Sequence, residues 1–234
     1  MGSKGWWLDE AAYAGRENLD IEHVARYDTK TGDFGIAEEL ALLGEFGLGV
    51  ESTLVDFGAG TGTFALAAAA TCGRVIAVDP SPVMRSALSE KIVRAGMENI
   101  ECVEGGFLSY APAAPVDVVY SRNALHHLPD FWKVVALQRI AEMLRPGGVL
   151  RLRDVVYNFE PSEIDARLET WLATASGTVE CGWTVEELHE HVRDEHSTFT
   201  WLLEPMLERA GLRISAVSYS ESGIYARYVC TKPA

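Results

Sequence analysis

The chain has 234 residues, 48% of them hydrophobic, and a formal net charge of −14. This length suits one α/β domain with a modest insertion. An acidic surface repels phosphate backbones, which disfavours nucleic acid as a partner. No stretch reaches the roughly 18–20 apolar residues of a membrane span, and the N-terminus lacks a basic-then-apolar secretory signal. We therefore expect a cytoplasmic protein without membrane contact.

The cysteines offer neither a metal site nor a disulfide framework. Four are scattered along the chain without any C-x-x-C pair, at Cys72, Cys102, Cys181 and Cys230. This spacing argues against bound zinc and favours a reducing compartment. The sequence predicts no bound metal.

From residue 53 onward, apolar runs alternate with helical patterns, as a parallel sheet with flanking helices requires. The predicted strands, in chain order, are Thr53–Asp56, Arg74–Asp79, Ile100–Val103, Val116–Ser121, Val149–Asp154, Arg213–Tyr219 and Tyr225–Thr231. The last two are expected to pair as an antiparallel hairpin. Residues 1–50 have helical, aromatic-rich patterns and are predicted to form a separate cap.

Specific residues mark where helices begin and end. Ser81 followed by Pro82 predicts a helix start, and Gly96 predicts its end. A further helix is expected over Phe131–Leu144. Residues 158–198 interrupt the alternation with two amphipathic helices, Ser162–Ala175 and Glu186–Arg193, the second opened by a Thr184–Glu187 capping box. We therefore predict a core of residues 51–157 and 199–234 with a helical insertion at 158–198.

The most informative segment runs from Asp56 to Gly62. An apolar run leads into three glycines, at positions 58, 60 and 62, and an Ala-rich helical pattern follows. Such a turn places bare backbone N–H groups and a helix N-terminus beside a ligand. A second acid, Asp79, ends the next strand. The pairing indicates a nucleotide-like cofactor at the carboxyl edge of a parallel sheet.

The glycine spacing separates the candidate cofactors. Dinucleotide folds favour G-x-G-x-x-G, but position 63 is Thr63 rather than a third glycine. A G-x-G-x-G turn after an acid, with Asp79 after the second strand, resembles the class I S-adenosylmethionine-dependent methyltransferases. A nicotinamide-dependent dehydrogenase remains as a less favoured alternative.

The resemblance implies a Rossmann-like fold: a seven-stranded, mostly parallel sheet with helices on both faces and a C-terminal antiparallel hairpin. In that family the glycine turn passes under the methionine moiety of S-adenosylmethionine, and the acid after strand 2 binds both ribose hydroxyls. The cofactor-binding residues it implies are Asp56, Gly58, Ala59, Gly60, Gly62, Asp79, Pro80, Ser81, Gly106, Phe107, Asn123 and Tyr27, with Tyr27 as a lid.

One position departs from the family pattern. Relatives commonly have an Asp where this chain has Gly106, and that Asp accepts a hydrogen bond from the adenine amino group. The bond must therefore be missing or supplied by another residue, while Phe107 remains placed to pack on the base.

The fourth predicted strand leads into Tyr120-Ser121-Arg122-Asn123-Ala124-Leu125-His126-His127-Leu128-Pro129-Asp130. This segment is not the Pro-Pro box of enzymes that methylate planar nitrogens, and it resembles the segment found in small-molecule methyltransferases. His126, His127 and Asp154 are the candidate catalytic residues, each weighed against a purely structural role.

We therefore predict methyl transfer from S-adenosylmethionine to a small-molecule acceptor by in-line displacement, with the insertion covering the acceptor pocket. The alternatives are a tRNA or protein methyltransferase and a non-catalytic S-adenosylmethionine-binding protein. The sequence leaves open the acceptor, the use of a general base, and whether the protein is a monomer or a homodimer.

Overall fold

The computed structural model describes residues 5–15, 17–31, 35–175 and 184–234. Parts of the predicted cap and of the predicted insertion, including residues 176–183, lie outside these ranges. The strands are β1 Thr53–Phe57, β2 Arg74–Asp79, β3 Ile100–Glu104, β4 Val116–Arg122, β5 Leu144–Tyr157, β6 Thr198–Phe199, β7 Arg213–Tyr219 and β8 Tyr225–Thr231.

Eight α-helices occur in the described ranges. They are α1 Ile21–Thr31, α2 Ile36–Glu45, α3 Thr63–Ala69, α4 Pro82–Ala95, α5 Asp130–Met143, α6 Ile164–Ala175, α7 Val185–Asp194 and α8 Thr200–Arg209. Short 3₁₀ helices lie at Glu10–Tyr13, Glu17–Leu19, Leu125–His127 and Pro161–Glu163. Within the same ranges, no helix has both the length and the apolar character needed to cross a membrane.

The sheet has the order β3-β2-β1-β4-β5-β8-β7. Strands β1 to β5 pair in parallel, whereas β8 runs antiparallel to both β5 and β7. The Rossmann-like fold with a C-terminal hairpin is therefore confirmed. The chain winds outward in opposite directions from β1 and β4, and ligands bind at such a switch point, beside the carboxyl ends of the strands.

The sheet differs from the predicted seven strands by one short addition. β6 pairs in parallel with the end of β5, through Val156↔Thr198 and Tyr157↔Phe199. A two-residue strand carries no periodicity that a sequence pattern reveals. β5 also begins earlier than predicted, because Leu144 pairs with Val116 before the chain passes through Gly147.

Alternating strand residues build one core on each face of the sheet. Val55 and Phe57 pack with α5 and α8, whereas Leu54 packs on the other face with α2, α3 and α4. A third cluster contains Tyr157 at the end of β5, Trp171 of α6 and Leu188 of α7. Helices α6 and α7 are thus held beside the carboxyl end of β5, next to the switch point.

The predicted helix signals at α4 and α7 match the structure. The Ser81 hydroxyl accepts a hydrogen bond from Met84 N at 3.2 Å, and Gly96 ends α4 with a left-handed φ of 62°. Thr184 and Glu187 form the reciprocal capping box, with donor–acceptor distances of 2.8 and 3.1 Å. Such caps satisfy backbone N–H groups that have no partner within the helix.

Candidate functional site

The glycine turn between β1 and α3 requires glycine for steric reasons. Gly58 and Gly62 have φ values of 69° and 85°, in the left-handed region that disfavours side chains. A Cβ on Gly58 would lie 2.3 Å from the Ala124 Cβ, and one on Gly62 would lie 2.1 Å from the Leu88 Cδ1. The turn therefore passes so tightly between its neighbours that only glycine fits at these two positions.

Asp79 ties the end of β2 to this turn. Its Oδ2 accepts a hydrogen bond from Gly60 N and its Oδ1 accepts one from Ser81 N, both at 2.8 Å. Burial raises the pKa of Asp79, and the two backbone donors partly offset that effect. The buried carboxylate retains lone pairs, since two N–H donors occupy only part of its capacity.

Asp56 lies behind the turn and is 2% exposed. Burial, followed by the negative charge of Asp79, raises the pKa of Asp56 to about 8, while Arg122 acts in the opposite direction. Asp56 therefore carries a proton at neutral pH. A cation placed near it would favour the ionised form.

A narrow cleft of about 60 Å³ opens in front of the turn. The predicted cofactor residues that line it are Gly58, Gly60, Asp79, Pro80, Gly106, Phe107, Asn123 and Tyr27. The remaining predicted residues, Asp56, Ala59, Gly62 and Ser81, are chain neighbours of this lining and do not line the cleft themselves. The Tyr27 ring covers the turn, since a Cβ on Gly60 would lie 3.6 Å from the Tyr27 Cε1.

Glu10 is a site residue that the sequence interpretation missed. Its carboxylate lies against Gly106, where a Cβ would be only 2.4 Å from the Glu10 Oε1. Oε1 accepts a hydrogen bond from Leu108 N at 2.9 Å, and Oε2 accepts one from Ser109 Oγ at 2.8 Å. Burial raises the pKa of Glu10, and these hydrogen bonds act to lower it. A carboxylate from the N-terminal segment thus lines the cleft where Gly106 has no side chain.

The three predicted catalytic residues lie together at the ends of β4 and β5. His126 is buried, and its Nδ1 contacts the Asp154 Oδ1. The Asp154 carboxylate also accepts hydrogen bonds from His126 N at 3.1 Å and from Val155 N at 2.8 Å. The backbone therefore fixes Asp154, which in turn fixes the orientation of the imidazole.

Electrostatics give the two histidines different charges. Burial lowers the pKa of His126, but Asp154 and then Glu195 outweigh it and raise the pKa to about 10. Burial and the charge of His126 lower the pKa of His127 to about 3. In this arrangement His126 is protonated at neutral pH and His127 is neutral.

Glu195 completes this group and was also missed. A charged run such as residues 193–195 usually forms a solvated helix face, but the Glu195 side chain is only 15% exposed. Its Oε2 lies 3.1 Å from the His126 Nε2, and its Oε1 lies 3.7 Å from the His127 Nδ1. A backbone hydrogen bond of 2.9 Å from His196 N to the His126 carbonyl draws the end of α7 inward.

A cavity of about 720 Å³ lies beside the cleft, within the usual range for small-molecule pockets. The two spaces share Tyr13, Asn18, Tyr27, Asn123 and His127. The cavity continues over the histidines and Asp154 to residues of α6 and α7. The cleft at the glycine turn therefore opens directly into a space of small-molecule size.

Three arginines occupy adjacent register positions along one side of this cavity. Arg122 of β4 is opposite Arg153 of β5, and Arg153 is opposite Arg227 of β8. Burial and the charge of Arg122 lower the pKa of Arg153, although Glu39 opposes the shift. The Glu39 carboxylate is already bound by Arg151 at 2.6 Å and by Arg153 at 3.0 Å. The strand ends thus concentrate positive charge in a strongly acidic protein.

Comparison with known proteins agrees with this geometry. Residues 54–148 match the model of a methyltransferase domain family. An uncharacterised methyltransferase of Bacillus cereus is 25% identical over 69% of this chain and 70% of its own length. A second, from Geobacillus kaustophilus, is 32% identical over 44% of this chain. The chain spans 47% of the length of this second relative.

Among solved structures, phosphoethanolamine N-methyltransferase 2 of Haemonchus contortus shares the fold with a TM-score of 0.72 and 16% identity. The match covers 97% of this chain and 61% of that one. The fold, the glycine turn and the match over residues 54–148 show that this part of the chain is a methyltransferase domain of the class I S-adenosylmethionine-dependent type. Its cofactor is S-adenosylmethionine, and the residues around the cleft fit that group, because Asp79 offers a buried carboxylate that retains lone pairs, beside a turn in which only glycine fits.

Proposed function

We propose that the protein methylates a small molecule that binds in the large cavity, by in-line displacement at the cofactor. When bound, S-adenosylmethionine supplies the reactive methyl group and its leaving group. The observation that carries the proposal is the junction of cleft and cavity at Asn123 and His127. A methyl donor in the cleft would face an acceptor in the cavity across these residues.

Different residues around the cleft bind different parts of the cofactor. The glycine turn accommodates the methionine moiety, and Asp79 accepts hydrogen bonds from the ribose hydroxyls. Glu10 accepts a hydrogen bond from the adenine amino group, in place of the Asp that relatives have at position 106. Asp56 lies behind the turn, where its ionised form would be favoured by the positive charges of the cofactor.

The protein contributes to the rate mainly by positioning. Holding two reactants in near-attack geometry is worth roughly 7–11 kcal/mol. His126 is already protonated in its ion pair with Asp154, and His127 has a pKa far below neutrality. Neither is a strong base at pH 7, which favours an acceptor that needs little proton removal. Asp154 orients His126 rather than reacting itself.

The arginine row supports an acceptor that carries an anionic group. Guanidinium groups bind carboxylates and phosphates through paired hydrogen bonds. Arg122, Arg153 and Arg227 line the same cavity as His127, so an anion bound there would place the rest of the molecule near the cleft. The Haemonchus contortus neighbour, whose bound ligand is phosphomonomethylethanolamine, is consistent with such an acceptor.

The two helical segments outside the core are proposed to enclose these ligands. Tyr13 and Tyr27, from residues 1–50, lie over both spaces, and α7 of the 158–198 insertion lines the cavity. The cleft is smaller than the roughly 300 Å³ of ordinary ligand pockets. The N-terminal segment must therefore move outward when the cofactor enters.

Calorimetric titration tests whether the protein binds S-adenosylmethionine as its methyl donor. We expect S-adenosylmethionine and S-adenosylhomocysteine to bind, and NAD to give no heat. Asp79→Asn should weaken S-adenosylhomocysteine about tenfold or more, because charge-assisted hydrogen bonds to the ribose are worth about 1.5–3 kcal/mol each. Glu104→Gln is the matched control, because Glu104 lies opposite Asp79 on the neighbouring strand β3 and its side chain is exposed.

Two outcomes would contradict the assignment of S-adenosylmethionine as the methyl donor bound through Asp79. Tight binding of NAD without a response to S-adenosylmethionine would favour a dehydrogenase. Unchanged affinity in Asp79→Asn would remove the ribose assignment. Binding of the cofactor without methylation of any acceptor would instead favour the non-catalytic alternative.

A further inference from the structure

The group formed by His126, His127 and Glu195 has the composition of a metal site. One ligand atom from each of the three residues lies within 4.8 Å of the other two. Two imidazoles and a carboxylate are ligands typical of divalent first-row transition metals. The three residues come from two separate segments, the 3₁₀ turn after β4 and the end of α7, so the fold and not local sequence brings them together.

The distances from Glu195 to the two imidazoles are close to those between ligand atoms of one ion. Atoms bound at about 2.0–2.1 Å around a tetrahedral ion lie about 3.4 Å from one another. The Glu195 carboxylate oxygens lie 3.1 Å from the His126 Nε2 and 3.7 Å from the His127 Nδ1. His191 Nδ1 also contacts the Glu195 Oε2, which places a third imidazole beside the group.

The imidazoles of His126 and His191 face the Glu195 carboxylate. Its Oε2 is buried and, within the described ranges, no donor meets it with hydrogen-bond geometry, although imidazole nitrogens face it. A buried carboxylate oxygen in this state is costly. A metal cation bound between the imidazoles and the carboxylate would displace the proton from the His126 Nε2 and satisfy this oxygen directly.

The residues behind the group also suit a metal. The Asp154 Oδ1 contacts the His126 Nδ1, which leaves the His126 Nε2 directed at Glu195. Metal-binding histidines usually bond a carboxylate through their second nitrogen, because this fixes the tautomer and strengthens the ligand. Asp154 is itself held by two backbone N–H groups.

We propose that His126, His127 and Glu195 bind one divalent transition-metal ion such as Zn²⁺. This proposal replaces the expectation of no metal, which considered only cysteine spacing. The group lines the large cavity and reaches the cleft through His127, so the ion would lie where the acceptor binds. Orienting an anionic acceptor there is a role that rests on the proposed function, whereas metal binding itself does not.

Cobalt titration tests the site without any methyl transfer. Protein stripped with EDTA is titrated with Co²⁺, which gives a visible absorption band when protein ligands bind it in tetrahedral geometry. We expect one Co²⁺ per chain, displaced by Zn²⁺. His127→Ala and Glu195→Gln should each weaken Co²⁺ at least tenfold. His189→Ala, which removes an exposed histidine of the same helix α7, should leave the affinity within twofold.

Thermal melting provides a second measurement if a variant is unstable. Zn²⁺ should raise the melting temperature of the wild type and of His189→Ala, because a ligand that binds only the native state stabilises it. It should not raise that of His127→Ala. Failure of the wild type to bind Co²⁺ or Zn²⁺ at millimolar concentration would overturn the site, as would equal affinity in wild type and His127→Ala. Either result leaves the test of cofactor binding unaffected.

Discussion

Replacing Glu10 tests whether this chain reads adenine with a carboxylate from its N-terminal segment. The carboxylate has about four lone-pair positions, and Leu108 N and Ser109 Oγ use two of them. The rest are available to the adenine amino group. Hydrogen bonds to charged groups contribute about 1.5–3 kcal/mol, against about 0.5–1.5 kcal/mol between neutral groups. Glu10→Gln keeps an acceptor oxygen and should lose about 1 kcal/mol, or about fivefold in affinity.

The assay compares two ligands by calorimetry: S-adenosylhomocysteine and its inosine analogue, in which an oxygen replaces the adenine amino group. The wild type should strongly prefer the adenosine compound, because its carboxylate would face an oxygen in the analogue. Glu10→Gln should narrow that preference at least tenfold, since the amide can also donate. Ser109→Ala, which keeps the carboxylate and removes a neighbour, should leave the preference within twofold.

Equal weakening of both ligands in Glu10→Gln would refute the reasoning. Glu10 would then serve only to hold the Leu108 and Ser109 backbone region in place.

Three further predictions concern the glycine turn, the buried Asp56 beside it and the N-terminal cap. Gly62→Ala should lower the free energy of unfolding, measured by urea denaturation, by about 2–4 kcal/mol, because the new Cβ clashes with Leu88 and the left-handed φ disfavours a side chain. Gly96→Ala, which has open space around it, should lower it by about 1 kcal/mol. The native pKa of Asp56, about 8, exceeds its ordinary 3.8, so the folded state holds a proton that the unfolded state releases. Wild-type stability should therefore fall relative to Asp56→Asn between pH 5 and pH 8, and parallel curves would contradict this. S-adenosylhomocysteine should slow amide hydrogen exchange in residues 5–31 and leave α8 unchanged, whereas no change in 5–31 would argue against contact between this segment and the bound cofactor.

Local signals made most of the sheet and the cofactor turn predictable. The strands Arg74–Asp79, Arg213–Tyr219 and Tyr225–Thr231 occur with the predicted bounds, since each is a clear β pattern flanked by turn residues. The glycine turn was recognisable because only glycine fits its positive φ values and close contacts. These features depend on neighbours in the chain.

The missed residues depend on contacts between distant segments. Glu10 contacts Gly106, which is far from it in the sequence, and nothing in the sequence around residue 10 indicates that contact. Glu195 belongs to a charged run that normally indicates a solvated helix face. Only the packing of α7 against the end of β5 buries it beside His126. For Glu10, the available sequence signal was Gly106, because the missing Asp side chain there implied that another residue could bind the adenine amino group.

The central claim is methyl transfer to a small molecule, and isotope transfer measures it most directly. The protein is incubated with S-adenosylmethionine labelled on its methyl group and with a bacterial extract separated into metabolites, protein and RNA. We expect the label to enter the metabolite fraction, preferentially its anionic compounds, and Asp79→Asn to reduce the rate while Glu104→Gln does not. Label that enters protein or RNA, with none in the metabolites, would contradict the account.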